Sequence, residues 1–172
     1  APTSSTTATL VLGDALAVAL LEARGFTADD FAMSHPAGAL GKRSLLHVKH
    51  LMHTSIELPK VQPNTPMNEV LYEISAKRLG LTTVVDENDT LLGIFTDGDL
   101  RRMIDRQQGF DVNLPVSEVM TKNPITISQE ARAVEALEKM QEKKINQFVV
   151  VDNANKVIGV ISMHDLIQAG VN

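Results

Sequence analysis

Apolar and polar positions along this chain follow two periods, and from Val48 onward the same succession is written twice. Four short apolar runs, Thr82 to Val85, Leu91 to Phe95, Gln147 to Val151 and Val157 to Ile161, have the length of buried strands. Glu87-Asn88-Asp89 and Asn153-Ala154-Asn155 separate the members of each pair as turns. Apolar residues three and four apart predict amphipathic helices over Met67 to Leu79, through Val70, Leu71 and Ile74, and over Ala131 to Lys143, through Val134, Leu137 and Met140. A brief extended piece precedes each helix (Leu58 to Val61; Ile125 to Ile127), and before that a short helical turn ends at Met52 or Met120.

The repeat decides the fold class. Val48-Lys49-His50-Leu51-Met52-His53 matches Val116-Ser117-Glu118-Val119-Met120-Thr121 at an offset of 68, and Val84-Val85-Asp86, Gly93 and Asp99 match Val150-Val151-Asp152, Gly159 and Asp165 at an offset of 66. The second copy is therefore two residues shorter in the loop after its methionine. Each copy reads β-α-β-β-α, an α/β (α+β) unit of about sixty residues, too small to hold a comfortable core alone. Two copies packed sheet to sheet would bury a shared one. Met52 and Met120 read as core or cleft-lining residues.

The first forty-five or so residues differ. Pro2-Thr3-Ser4-Ser5 opens a helix that runs through Leu10, Leu12, Leu16, Ala17, Leu20 and Leu21 to a stop at Gly25. Thr27-Ala28-Asp29-Asp30 opens a second, short helix with acids in its first turn, and Ser34 to Arg43, with one Pro and two Gly, reads as a loop. This section has a strong helix and no strands to cover, so it is expected to have lost a partner. The start at Ala1, in what reads as the middle of an element, points to a fragment.

Composition narrows the classes. The chain is 44% apolar and 3% aromatic, without Trp, and its net charge of −5 argues against nonspecific nucleic-acid binding. It has no Cys, so disulfide and thiolate chemistry are excluded, in keeping with a cytoplasmic protein. No stretch approaches the roughly 18–20 apolar residues of a membrane span.

The candidate chemistry sits where each last strand enters a helix, at Thr96-Asp97-Gly98-Asp99 and Ser162-Met163-His164-Asp165. A hydroxyl followed three residues on by a carboxylate caps a helix. The same groups, facing a ligand, suit a nucleotide: the hydroxyl and amides for phosphate, the carboxylate for a ribose diol. Both readings use one geometry and stay open. Neither aspartate has Lys or Arg four residues away to explain it as a helix pair. The copies are unequal: the first adds Arg101 and Arg102, able to reach phosphate or a sugar carboxylate, where the second has Leu166, Ile167 and Gln168. An anionic ligand is therefore expected to favour the cleft near Thr96 and Asp99. His47, His50 and His53 are spaced three apart, but no Asp, Glu or Cys completes a ligand set close by, and they read as a solvated linker face. No metal site is expected. Lys77-Arg78 and Lys143-Lys144 read as charges complementing helix C-termini.

The paired V-x-x-(L/V)-M-(H/T) and G-h-h-(T/S)-x-x-D-L segments resemble a tandem of CBS domains over residues 46 to 170. The front section, through Pro2-Thr3-Ser4-Ser5-Thr6-Thr7-Ala8, Gly13-Asp14-Ala15-Leu16-Ala17 and Ser34-His35-Pro36-Ala37-Gly38-Ala39-Leu40-Gly41, is similar to the end of the sugar isomerase domain of D-arabinose 5-phosphate isomerases. The resemblance implies three segments: 1–45, the isomerase remnant; 46–112, the first CBS domain; and 113–172, the second. It implies a parent enzyme that converts ribulose 5-phosphate to arabinose 5-phosphate on the way to Kdo and lipopolysaccharide. His35 falls on that family's active-site histidine, with the remaining catalytic residues upstream of this chain. It further implies a nucleotide or nucleotide-sugar effector, CMP-Kdo or AMP/ATP, bound through Thr96, Asp97, Asp99, Arg101 and Arg102, and through Ser162, His164 and Asp165. The expected partners are the enzyme's own isomerase domain and a second CBS pair, giving a homodimer and, at full length, a tetramer. Nucleic acid and membrane are not expected partners. Two other functions are an assembly-only module and a chain that is itself an isomerase; the missing catalytic residues weigh against the latter.

Overall fold

A computed structural model of the chain describes residues 2–27, 30, 46–105 and 111–171. It divides into two units, Ala1–Leu45 and Leu46–Asn172. The first carries helix α1 (Ser4–Ala23), which closes as expected: Gly25 takes φ +62° and the Phe26 amide donates to the Leu21 carbonyl at 3.0 Å. Thr27 and Asp30 exchange cap bonds, the Thr27 amide donating to Asp30 Oδ2 at 2.8 Å and the Asp30 amide to Thr27 Oγ1 at 3.2 Å. The expected loop at 34–43, with His35, lies outside the described residues. No residue of α1 is buried. One expectation is corrected here: α1 is long and apolar enough to cross a membrane by length and composition. Its Leu, Val and Ala outweigh only Asp14 and Glu22 among charges, although hydroxyl residues and Gly13 interrupt any pure apolar run. A core helix covered by a partner domain passes the same test.

The second unit holds two sheets. In the first, β1 (Lys60–Val61), β2 (Leu81–Val85), β3 (Leu91–Thr96) and β4 (Thr121–Lys122) lie in that order. β1 runs parallel to β2, and β3 is antiparallel to both β2 and β4. In the second sheet, β5 (Thr126–Ser128) runs parallel to β6 (Gln147–Val151), which is antiparallel to β7 (Val157–Ser162). Helices α2 (Met67–Lys77) and α3 (Asp97–Asp105) belong to the first repeat, α4 (Ala133–Lys143) and α5 (Met163–Gln168) to the second. The expected elements are present with shifted ends. α2 stops two residues early because Arg78 turns left-handed at φ +58°, and Lys144 ends α4 in the same way at φ +54°. In both hairpins an aspartate ties the turn together, Asp86 Oδ1 accepting from the Asn88 and Thr90 amides and Asp152 Oδ1 from those of Ala154 and Lys156. The hairpins also meet: the Leu91 amide donates to the Asn155 carbonyl and the Val157 amide to the Asp89 carbonyl, each at 3.0 Å.

The shared core expected between the sheets is there. Leu81, Val85 and Leu91 of the first sheet are buried with Val149, Val157 and Val160 of the second. What the repeat did not announce is an exchange of leading segments. Val48, which opens the first copy, is buried among Leu137, Met140, Phe148 and Ile161 of the second, while Val116 of the second copy is buried among Val70, Ile74 and Phe95 of the first. Backbone bonds hold both crossings: the Val48 amide donates to Ala131 and the Val116 amide to Thr65, at 2.9 and 3.0 Å. The chain just past each methionine then lies along the other copy's last strand, His53 bridging to Val160 and β4 pairing with β3 at Gly93 and Ile94.

The repeated glycines follow from this. A Cβ on Gly93 would lie 2.7 Å from Met120 Sδ and 2.8 Å from the Thr121 carbonyl oxygen, and one on Gly159 would lie 2.6 Å from Met52 Sδ. A methionine can shift, but the Thr121 carbonyl is part of the ladder. Gly93→Ala is expected to cost about 1–3 kcal/mol of stability, and Gly159→Ala less, because its nearest backbone atom, the His53 carbonyl oxygen, lies at 3.2 Å. Urea unfolding of the two variants measures both the cost and the order.

Candidate functional site

Thr96 ends β3 and Asp99 sits in the first turn of α3. Asp99 Oδ2 accepts from the Thr96 amide at 2.9 Å and from Thr96 Oγ1 at 2.7 Å, and the Asp99 amide donates back to Thr96 Oγ1 at 3.2 Å. The other oxygen, Oδ1, accepts from the Arg102 guanidinium and, at 3.1 Å, from Thr121 Oγ1 of the second repeat. Asp99 is thus a buried charge with four donors on its two oxygens, which fills its acceptor capacity. Its helix partner is Arg102, three residues on, a spacing that a search four residues away passes over. Arg102, expected on a ligand phosphate, is placed on Asp99.

The second copy repeats the cap. Asp165 Oδ2 accepts from the Ser162 amide at 2.8 Å and from Ser162 Oγ at 2.6 Å, and the Asp165 amide donates back to Ser162 Oγ at 3.2 Å. Both aspartates are therefore helix caps, whatever else they do. The place of Thr121 is taken here by His53, whose Nε2 lies 3.2 Å from Asp165 Oδ1 and whose Nδ1 lies 2.9 Å from Glu57 Oε2. His53 is half-buried, so the solvated-linker expectation fails for it: the exchange of leading segments carries it from the first copy onto the second copy's sheet. His50 Nδ1 accepts from the His47 amide at 3.1 Å, and the rings of His47 and His50 meet edge to face. Among the described residues no group of three or more His, Asp or Glu side chains is placed so that it could hold a metal ion.

Two clefts adjoin at Gly80, Asp97 and Gln147. The first, about 590 Å³, is lined by Thr96, Asp97, Asp99, Arg101 and Arg102, with Leu81, Ile94, Ile125 and Ile145 as apolar wall. It also holds Asn123 and Lys144, which lie in the second repeat and were not expected there. The second, about 670 Å³, is lined by Ser162, His164, Asp165 and His53, with Lys77 and Arg78 from the end of α2. The structure thus brings the expected residues of each copy together in one cleft. Each cleft is completed by the chain just past the other copy's α2 or α4, so Arg78 and Lys144 do more than end helices. The equivalence of Met120-Thr121 with Met52-His53 was the available sign that position 53 belongs to a site.

Burial works against the charge of Asp99, but the Thr96, Arg102 and Thr121 bonds outweigh it and hold the carboxyl below its ordinary range. For Asp165, burial is likewise outweighed, by Ser162 and His53, with the same downward result. For His53, burial disfavours the cation, yet Glu57 and Asp165 together raise its proton affinity above the ordinary imidazole value.

The CBS domain profile matches residues 48–106 and 116–172. The chain belongs to the CBS-domain family. As a CBS pair it is 55% identical over 172 residues to the arabinose 5-phosphate isomerase KdsD of Pseudomonas aeruginosa, covering 99% of this chain and 52% of that protein. To the same-named protein of Francisella tularensis it is 54% identical over 168 residues, covering 98% and 51%. The chain spans about half the length of these relatives. Among solved structures, an uncharacterized conserved protein from Pyrococcus horikoshii aligns with a TM-score of 0.64 at 27% identity, covering 74% of this chain and 93% of that one. CBSX2 of Arabidopsis thaliana, solved in complex with AMP, aligns with a TM-score of 0.61 at 24% identity, covering 72% and 95%.

The caps of this CBS pair predict its pH profile. Asp99 and Asp165 have lowered folded values, so their contribution is present above about pH 4, the unfolded carboxylate value, and is lost as pH falls through the folded one. His53 has a raised folded value, so its contribution is full below about pH 6.5 and is lost as pH rises through the folded value. Stability should therefore peak between about pH 4 and 6.5. Asp99→Ala should lower it by about 1–3 kcal/mol and flatten the acid limb, as read by thermal unfolding across pH.

Proposed function

We propose that this chain is the regulatory module of an arabinose 5-phosphate isomerase, binding a nucleotide or nucleotide-sugar and controlling an isomerase domain elsewhere in the full-length protein. The observation that carries this reading is the first cleft. Arg101 and Lys144 have no ion-pair partner among the described residues and line it together with Thr96, Asp97 and Asp99. Two uncommitted cations suit phosphate or carboxylate. The Leu81, Ile94, Ile125 and Ile145 wall suits a base. CMP-Kdo offers ribose, phosphate and a sugar carboxylate at once; AMP or ATP offers ribose, phosphate and a purine, and CBSX2 holds AMP on this fold. In this reading residues 1–45 close the isomerase domain and segments 46–112 and 113–172 are the two CBS domains. His35 acts in catalysis only at full length, and the protein works in the cytoplasm as a dimer of CBS pairs, tetrameric when complete. No bound metal or organic cofactor is required.

One observation favours a second role in assembly. α3 and α5 leave Ile104 and Ile167 more than half exposed, and isologous pairing of two such faces would bury them. Binding and assembly are compatible. The assembly-only reading differs in requiring no ligand.

Melting curves with CMP-Kdo, AMP and ATP test the proposal. At least one should raise the melting temperature, and Arg101→Ala and Lys144→Ala should each weaken that ligand by about tenfold, the cost of one charge-assisted contact. The chain alone should not convert ribulose 5-phosphate. Binding of none of the three, or measurable isomerisation, overturns the reading.

A further inference from the structure

The two repeats reach for each other's carboxylate with different chemistry. Thr121 donates a hydroxyl to Asp99 Oδ1 at 3.1 Å, and that donor is present at every pH. Its counterpart His53 stands between two carboxylates, Nδ1 at 2.9 Å from Glu57 Oε2 and Nε2 at 3.2 Å from Asp165 Oδ1. An imidazole can serve both only as the cation. Nε2 is buried and its approach to Asp165 lies off the line of an N–H bond, so charge rather than a directed hydrogen bond holds that contact.

The two carboxylates also differ in spare capacity. Asp99 has four donors, two on each oxygen. On Asp165 the cap fills Oδ2, and among the described residues only His53 faces Oδ1. A hydroxyl accepted at this pair of caps without displacing a donor already bonded to a carboxylate oxygen comes to Asp165 Oδ1, where it meets His53. The other ionisable groups lining this cleft are His164 beside Asp165, Lys77 and Arg78 from the end of α2, and Asp97 from α3. Lys77 is already bonded to the Ile56 carbonyl. Glu57 and Asp165, in direct contact with the ring, set its charge, and they raise its proton affinity.

We propose that His53 gates the second cleft: as the cation it occupies Asp165 Oδ1, and as the neutral ring it yields that oxygen to the vicinal diol of a ribose. The gate rests on reading the clefts as nucleotide sites. It adds that diol binding in the second cleft displaces one proton, whereas the first cleft, closed by Thr121, has no such coupling.

Adenosine is the probe, since it carries the diol but no group that titrates between about pH 5 and 8. Titrated into the full chain, it should shift the Ser162 and Asp165 amides in NMR spectra. Its affinity there should rise with pH at a limiting slope of about tenfold per unit, one proton per ligand. His53→Thr, which copies the other repeat, removes the titrating group and should give an affinity that does not change with pH across the range. Glu57→Gln, which keeps the ring, should move the midpoint to lower pH and serves should the threonine variant not fold. Adenosine bound at Ser162 and Asp165 with a flat pH profile, or identical profiles in wild type and variants, overturns the gate and leaves the nucleotide reading standing. Failure of adenosine, AMP, ATP and CMP-Kdo to bind at any pH overturns both.

Discussion

Neither repeat of this CBS pair can finish its own core. The residue that fills the space between helix and sheet in each half, Val48 or Val116, comes from the leading segment of the other. That crossing brings Met52 and Met120 over the glycines of the opposite strand, at distances where a single methyl group would collide. The whole second unit depends on this close approach, because it seats the chain just past each methionine against the far sheet. The shared core of Leu81, Leu91, Val149, Val157 and Val160 then locks the two sheets face to face.

The functional geometry is a by-product of the same crossing. Thr121 and His53 reach the caps of the opposite repeat only because their segments have been exchanged. Arg78 and Lys144, in left-handed turns that end α2 and α4, lead the chain into the opposite clefts. Each cleft is therefore made by both repeats, and a change in the fit between them is felt at both. In the proposed reading, a ligand that prefers one spacing of the repeats shifts the pair toward it.

Duplication with divergence also explains why the two halves differ in chemistry while agreeing in shape. The cap geometry is nearly identical, with carboxylate–amide distances of 2.9 and 2.8 Å. The groups around it are not. Guanidinium, ammonium and hydroxyl groups surround the first cap; around the second, Lys77 and Arg78 are joined by two histidines and a neighbouring glutamate. One fold thus offers one cleft lined without histidine and another lined by two.

Periodicity and repetition made most of the fold legible. Strand and helix positions, the paired hairpins and the shared core all follow from apolar spacing and from the match of residues 48–53 and 82–99 with 116–121 and 148–165, since burial demands such spacing wherever the partner surface lies. The hydroxyl-x-x-carboxylate caps were equally plain, being contacts within four residues. What the sequence could not decide was which repeat each leading segment would join, because a buried valine is satisfied by either core. Only the tertiary structure settled that Val48 crosses over, and with it that His53 leaves the solvent for Asp165. It also placed Arg102 on Asp99 and brought Lys144 into the first cleft. Those are matters of distance between segments far apart in the chain, and the pattern of side chains along one segment holds no information about that distance.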